Sequence, residues 1–126
     1  MKPGKTGLDR LVNASCNSIK GLKSCWIHEA AFRQDVALCI ALFLSSFFVA
    51  TSPQQWLLLI FPLILLLVTE LLNSAIENVV DRIGPERHEL SGRAKDAASA
   101  AVFLCLLLIA LSWVIAIWQN FIRLEP

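Results

Sequence analysis

Charged residues are scarce in this sequence and are absent from two long segments. Of the 126 residues, 17% are charged and 56% are hydrophobic, whereas soluble domains contain about 45–50% apolar residues. No charge occurs between Val36 and Thr69 or between Ala97 and Trp118. A soluble globule of this composition would lack polar surface, so the sequence predicts a membrane protein with one small domain.

Motifs of several other protein classes are also missing. The four cysteines have no CxxC spacing and no histidine cluster, which argues against a disulfide framework or a zinc site. The first apolar run begins only after about 30 residues, unlike that of a cleaved signal peptide. Without a Walker A sequence or a kinase-type glycine-rich loop, the soluble nucleotide-binding folds are excluded by motif. A net charge of +1 gives no reason to expect a nucleic-acid partner.

The charge-free segments divide into three predicted membrane-spanning helices. As one helix, residues 36–69 would be about 51 Å long, whereas the hydrocarbon core of a bilayer is roughly 30 Å thick. Pro53 and its polar neighbours predict a turn within that segment. The sequence therefore predicts an all-α membrane protein, a single domain over residues 1–126, with spans at about 32–50, 56–76 and 97–118.

The segment 1–28 predicts an amphipathic helix on the cytoplasmic membrane surface. Apolar side chains recur at three- and four-residue spacing between Leu8 and Trp26, with basic residues between them. This pattern is typical of a helix that lies in the interface of a bilayer. A simple membrane anchor without any part in catalysis fits the pattern equally well.

Lysines and arginines predict the orientation of the spans. Six of them lie in residues 1–35 and four in the connection 82–95, whereas residues 51–55 have none and the C-terminal tail has one. By the positive-inside rule, we expect the N-terminus and the 82–95 loop to be cytoplasmic and the C-terminus to lie outside. The protein is therefore expected to be a multi-pass membrane protein.

The motif ELLNSAIENVVD directly follows the second apolar run and carries three acids. Positions at offsets of three, four, seven and eleven residues share one helical face. The residues on this face are Glu70, Asn73, Ser74, Glu77 and Asp81. Since a charge in a membrane-length apolar helix is costly, a polar stripe at this place indicates a function.

Depth in the membrane separates the acids of this stripe. We expect Glu70 about 7 Å inside the inner boundary of the membrane, and Glu77 near that boundary, about 10 Å farther along the helix. A buried carboxylate is a candidate general base. A non-catalytic membrane scaffold would need no acid at that depth. Asp81 lies near water beside Arg82, so an ordinary structural ion pair explains it as well.

Acids and bases cluster on the inner side of all three spans and are missing from the outer side. A transporter or channel needs polar groups across the full depth of the membrane, so this one-sided distribution argues against both.

Glu29 and Glu77 are candidate Mg²⁺ ligands, since Mg²⁺ takes one or two carboxylates together with phosphate oxygens. Lys95 and Arg10 are candidates to neutralise phosphates, and Glu70 to accept a proton from a lipid hydroxyl. A metal site, cations that neutralise phosphate and a positioned base are the groups that phosphoryl transfer requires.

Oligomerisation is expected from the same distribution of polar groups. Three spans are too few to enclose a polar face on each of them, and acids that face lipid would be costly. The small-residue segment AASAA, residues 97–101, allows close contact between helices. The sequence therefore predicts that subunits associate and shield these faces.

Three motifs resemble the small bacterial integral-membrane diacylglycerol kinases. They are HEAAFRQD (28–35), ELLNSAIENVVDRIG (70–84) and ELSGRAKDAASAAV (89–102), within a resemblance that covers about residues 8–118. It implies a homotrimeric bundle in the bacterial inner membrane, each chain with an N-terminal surface helix and three transmembrane helices. It also implies transfer of the γ-phosphate of ATP to diacylglycerol, which gives phosphatidic acid, with Mg²⁺ as cofactor.

The same resemblance implies roles for individual residues. Glu70 matches the catalytic base, Glu29 and Glu77 match the metal-binding acids, and Asn73 matches a supporting position. The implied ATP-binding residues are Arg10, Asn17, Glu29, Glu77, Glu86, Arg87, His88, Lys95 and Asp96. The implied lipid-binding residues are Arg10, Trp26, Ala31, Phe32, Arg33, Gln34, Asp35, Glu70 and Ser99.

The chain departs from the family pattern at a few positions. His28 and Asp35 stand where the family usually has Asn and Glu, and Asn17 and Ile19 stand where aromatic residues are common. A sister branch phosphorylates undecaprenol, whereas the motif ELSGRAKD favours the diacylglycerol branch. The expected function is therefore ATP-dependent phosphorylation of diacylglycerol at the cytoplasmic face of the membrane, with undecaprenol phosphorylation as the alternative.

Overall fold

Residues 6–124 form four helices in the computed structural model, which describes this part of the chain. The helices are α1 (Gly7–His28), α2 (Ala30–Val49), α3 (Pro53–Ile83) and α4 (Glu89–Leu124). No strand occurs within residues 6–124. The predicted all-α architecture, one helix followed by three long apolar helices, is confirmed. The first five residues of the predicted surface segment lie outside the described residues.

The three long helices, α2, α3 and α4, are long and apolar enough to cross a membrane. Large apolar side chains also cover their outer surfaces, and Phe48 near the end of α2 is 91% exposed. A bundle with an apolar outer surface is suited to lipid rather than to water. The helices therefore support the prediction of a membrane protein.

α3 and α4 are longer than the apolar spans predicted within them. α3 continues to Ile83, and α4 already begins at Glu89. The non-helical connection is therefore 84–88, shorter than the predicted loop 82–95. The charge pattern marks the part of a helix that lipid can surround, whereas the helix itself continues into polar sequence until a residue stops it.

Local sequence signals set both ends of α3. The hydroxyl of Ser52 accepts a hydrogen bond of 3.1 Å from the backbone N–H of Gln55, and Pro53 occupies the first turn. Both features are common at helix N-termini. Gly84 ends the helix with a φ of 153°, which residues with a Cβ rarely adopt, and Pro85 follows it. These signals explain why the loop begins directly after Ile83.

α3 packs against both α2 and α4 and supplies the centre of the core. Leu59 and Leu66 of α3 are fully buried. They belong to a cluster whose other buried members are Cys39, Leu63, Cys105, Ile109, Trp113 and Ala116. The surface helix α1 touches α2 and α3, and none of its residues is buried. The core therefore fixes α3 between its neighbours and leaves α1 at the margin.

A polar network joins the helix ends at the α2–α3 turn. The side-chain oxygen of the buried Gln55 accepts a hydrogen bond from the Thr51 backbone N–H at 2.9 Å, and its nitrogen donates to Asn120 at 3.0 Å. Asn120 in turn donates to the carbonyl oxygen of Val49 at 2.6 Å. The network ties three helices together at the end of the bundle opposite to the acids of α3.

Candidate active site

Glu70 is a buried acid at the end of the apolar core. It is 4% exposed, and Ser74, one turn farther along α3, is 2% exposed. Leu66, one turn before Glu70, is fully buried within the core cluster. Residues at this spacing share one face of a helix. The carboxyl group therefore lies where the apolar core gives way to polar side chains.

Three other acids, Asp35, Glu77 and Glu29, lie near enough to Glu70 for their negative charges to influence it. Asp35 belongs to the second turn of α2, and Glu77 lies two turns farther along α3. Glu29 lies between α1 and α2. The fold thus brings together, within one chain, acids that are far apart in the sequence.

Asn73 and Glu77 continue the polar face toward the end of α3. The amide nitrogen of Asn73 makes a long hydrogen bond of 3.5 Å to a carboxylate oxygen of Glu77. The amide oxygen of Asn73 is buried and has no hydrogen-bond partner among the described residues. A buried polar atom without a partner is costly. The position is therefore suited to a donor or a cation that binds from outside the chain.

Glu29 lies at the corner between α1 and α2, where its backbone is extended with φ −115° and ψ 105°. It lines a cavity of about 290 Å³ together with Ser24, Cys25, His28 and Asn78. A second cavity, of about 450 Å³ between α1 and α3, shares Ser24, Cys25 and Asn78 with the first. This acid therefore borders open space beside the surface helix.

A larger cavity, of about 580 Å³, lies at the α3–α4 loop. Four residues predicted to bind ATP line it: Glu86, Arg87, His88 and Lys95. Nδ1 of His88 accepts a hydrogen bond of 3.1 Å from the backbone N–H of Leu90 at the start of α4. In the neutral imidazole, Nε2 therefore carries the proton and is free to donate.

Lys95 forms an ion pair with Asp81 across the loop. The Nζ atom lies 2.7 Å from a carboxylate oxygen, and the side chains are 43% and 66% exposed. Lys95 lies before the apolar segment 97–118 of α4. Its hydrogen bond to Asp81 and the negative charge of Asp81 raise the pKa of Lys95. Lys95 is therefore protonated at neutral pH. Asp81 has a structural ion pair, as its position suggested, but with Lys95 rather than with its neighbour Arg82.

Four other predicted site residues remain apart from these acids in the single chain. They are Arg10 and Asn17 on α1, and Asp96 and Ser99 on α4, and all four are exposed. None of them is among the residues whose charges act on Glu70. None lines the cavities at the corner, beside α1 or at the loop.

The predicted lipid-binding residues around the start of α2 divide between the inside and the outside of the chain. Phe32 is buried within the chain at 4% exposure, whereas Trp26 is 49% exposed. Ala31 and Gln34 are also exposed, and Asp35 is half-buried near Glu70. Trp26, Ala31 and Gln34 are therefore accessible from outside the single chain, whereas Phe32 is not.

Sequence reasoning assigned no role to Ser74 or Asn78. Ser74 is buried one turn from Glu70, and Asn78 borders both cavities beside α1. Their offsets of four and eight residues from Glu70 put them on or beside the polar stripe. Helical spacing had already placed Ser74 on the stripe, and the same signal could have identified Asn78.

Comparison with known proteins identifies the family. The family model for prokaryotic diacylglycerol kinase matches residues 16–117. A protein named diacylglycerol kinase from Escherichia coli (strain K12) is 45% identical over 122 residues, 96% of this chain and 99% of the relative. A diacylglycerol kinase from Haemophilus influenzae is 47% identical over 86% of this chain and 92% of its own length. The resemblance is confirmed, and the chain belongs to the prokaryotic diacylglycerol kinase family.

Proposed function

We propose that this protein uses ATP to phosphorylate diacylglycerol and so forms phosphatidic acid. The observation that carries the proposal is the position of Glu70, a buried acid at the end of the apolar core, on the same polar face of α3 as Glu77 and near enough to Glu29 to feel its charge. The charge of Glu77 also acts on Lys95 in the loop cavity. A lipid alcohol can approach this site from the apolar side and a nucleotide from the loop side.

In the proposed reaction, the hydroxyl oxygen of diacylglycerol attacks the γ-phosphorus of ATP. A new O–P bond forms, the bond from the γ-phosphorus to the β–γ bridging oxygen breaks, and ADP leaves. Glu70 accepts the proton of the hydroxyl group. General-base catalysis contributes about 10²–10⁴-fold to a rate, and positioning and electrostatic stabilisation supply most of the rest in phosphoryl transfer.

Glu29 and Glu77 are the proposed Mg²⁺ ligands. Within residues 6–124, no three His, Cys, Asp or Glu side chains form a metal cluster, and Mg²⁺ needs only one or two carboxylates when phosphate oxygens complete its shell. The unpartnered oxygen of Asn73, whose nitrogen bonds Glu77, is a hard donor of the kind that Mg²⁺ prefers. When bound, the ion would neutralise charge on the phosphate oxygens.

The loop cavity is the proposed site of the nucleotide. It presents three carboxylates, from Asp81, Glu86 and Glu89, beside the guanidinium of Arg87, the imidazole of His88 and the ammonium group of Lys95. The ion pair of Lys95 with Asp81 is exposed, and water and salt screen such pairs so that they contribute little to stability. A phosphate group can therefore replace the carboxylate at little cost.

We further propose a homotrimer in which neighbouring chains complete the site. Asp96 and Ser99 are exposed at the start of a membrane-length helix, and an acid that faces lipid would be costly. Association that covers this part of α4 removes that cost. The same arrangement lets Arg10 and Asn17 of the surface helix contribute to a site at an interface.

The proposed orientation has the N-terminus and the loop in the cytoplasm, where ATP is available.

A phosphate-transfer assay tests the proposed function directly. Purified protein in mixed micelles is given Mg-ATP labelled at the γ-phosphate, with diacylglycerol, undecaprenol or both alcohols. Labelled phosphatidic acid as the main product is the expected result. Preferential labelling of undecaprenol would assign the chain to the alternative substrate, and the absence of any labelled lipid would contradict a lipid kinase.

A further inference from the structure

The corner between α1 and α2 is bridged by Arg33. Nη1 of Arg33, on α2, donates to the backbone carbonyl oxygens of Trp26 at 2.7 Å and Ile27 at 3.2 Å. α1 ends at His28, so both carbonyl groups belong to its last turn. Carbonyl groups of a last turn have no partner within the helix. Arg33 therefore satisfies acceptors that would otherwise depend on water.

Glu29 is the single residue between the two helices, and hydrogen bonds hold its backbone on both sides. Its N–H donates to the carbonyl oxygen of Cys25 in α1 at 2.9 Å, and its own carbonyl oxygen accepts from the N–H of Arg33 at 3.3 Å. Arg33 thus contacts this corner twice, with its guanidinium at the last turn of α1 and with its backbone N–H at Glu29. The direction of the Glu29 side chain depends on the angle that these contacts hold.

Arginine suits this position physically. Hydrogen bonds from a charged donor are roughly twice as strong as neutral ones, and a cation near a helix C-terminus is favoured by the helix dipole. α1 buries none of its residues, so few other contacts restrain it. His28 cannot replace Arg33, because its Nδ1 contacts the carbonyl oxygen of Ser24 at 2.9 Å within α1 itself.

We propose that Arg33 is a positioning residue that holds the last turn of α1 against α2 and thereby orients Glu29 toward the Mg-nucleotide. The inference rests on the proposed function and deepens it. It differs from the direct lipid contact that the family resemblance implies for Arg33. The guanidinium nitrogen that makes both bonds is directed at backbone carbonyl groups of α1.

Steady-state kinetics separate the two roles. In Arg33→Met, we expect the KM for Mg-ATP and the Mg²⁺ concentration for half-maximal rate to rise about tenfold, while the KM for diacylglycerol stays within about twofold. Arg33→Lys keeps one charged donor and should give intermediate values. Lys20→Gln removes an exposed cation from α1 and is the matched control, with wild-type constants expected.

Amide hydrogen exchange without substrate tests the contact itself. Exchange in the segment 24–30 should be several-fold faster in Arg33→Met than in the wild type, and unchanged in Lys20→Gln, because only the first variant releases the last turn of α1. This measurement needs no turnover. If the wild type forms no phosphatidic acid, the proposed function fails while the exchange experiment still tests the contact.

Unchanged exchange in Arg33→Met, together with a raised KM for diacylglycerol alone, would overturn the proposal and favour direct lipid contact. Circular dichroism checks that the variant keeps its helices. If Arg33→Met does not fold, the same two measurements on Arg33→Lys decide the question, because a lysine keeps the charge but has neither the reach nor the planar geometry with which one nitrogen of Arg33 contacts both carbonyl oxygens.

Discussion

Two acids of α3, Glu70 and Glu77, have different roles in the proposed reaction. Glu70 is buried, whereas Glu77 is half-buried two turns farther along. Seven residues of helix correspond to about 10 Å, so the two carboxyl groups cannot both contact one hydroxyl group. This separation supports the proposal that Glu70 accepts the proton of the lipid alcohol while Glu77 binds metal and phosphate.

Replacing Glu70 with Gln should lower kcat by about 10²–10⁴-fold, because an amide cannot accept the hydroxyl proton. The KM for Mg-ATP should change by less than about twofold, since shape and volume are conserved. Kinetics with each substrate varied in turn measure both constants. Asp9→Asn, which neutralises an exposed acid in the first turn of α1, is the control. Full turnover of the Gln variant would show that another group takes the proton.

Replacing Glu77 with Gln should instead raise the Mg²⁺ concentration for half-maximal rate by about tenfold or more, because loss of ligand charge weakens metal binding. Activity is measured across a Mg²⁺ titration at fixed ATP and lipid. The matched comparison is Glu70→Gln, whose residual activity should keep the Mg²⁺ dependence of the wild type. An identical shift in both variants would contradict the division of roles between the two acids.

Among the helices, α3 shows what sequence spacing can and cannot predict. The polar stripe predicted from offsets of three and four residues is present, with Glu70 and Ser74 both buried. Spacing within one helix could not identify Lys95 as the partner of Asp81, since this pair depends on how α4 returns along α3. Residue spacing could not predict the contacts of Arg33 with α1 either, because they depend on the angle between α1 and α2.

The polar network at the α2–α3 turn should stabilise the bundle without affecting catalysis. Gln55→Leu conserves volume but removes the acceptor of the Thr51 N–H and one of the hydrogen bonds of the Asn120 side chain. We expect the free energy of unfolding to fall by about 1–3 kcal/mol, measured by thermal unfolding in detergent. Gln54→Leu, at the exposed neighbouring position, should leave stability unchanged. A folded Gln55→Leu variant with reduced kcat would show that this end of the bundle is coupled to Glu70.

The whole molecule has two chemically different ends. One end holds the amide and hydroxyl groups around Gln55, where Arg123 donates to Thr51 at 3.2 Å. The other end holds Glu70 and its neighbouring acids, together with the α3–α4 loop and its cavity. The sequence predicted this polarity from counts of charged residues alone. It could predict neither the length of the loop nor the cavity there, which depend on where α3 stops and how α4 packs against it.

This polarity predicts which end faces the cytoplasm. In inverted membrane vesicles, a membrane-impermeant maleimide should label Cys16, which is exposed on α1, whereas intact spheroplasts should protect it. A cysteine introduced at the exposed position Gln54, at the opposite end, should show the reverse pattern. Each is tested in a chain whose other cysteines are replaced, with retained kinase activity as the control for folding. Labelling of Cys16 from the outside would invert the topology, and labelling of both positions from one side would contradict a bundle that crosses the membrane.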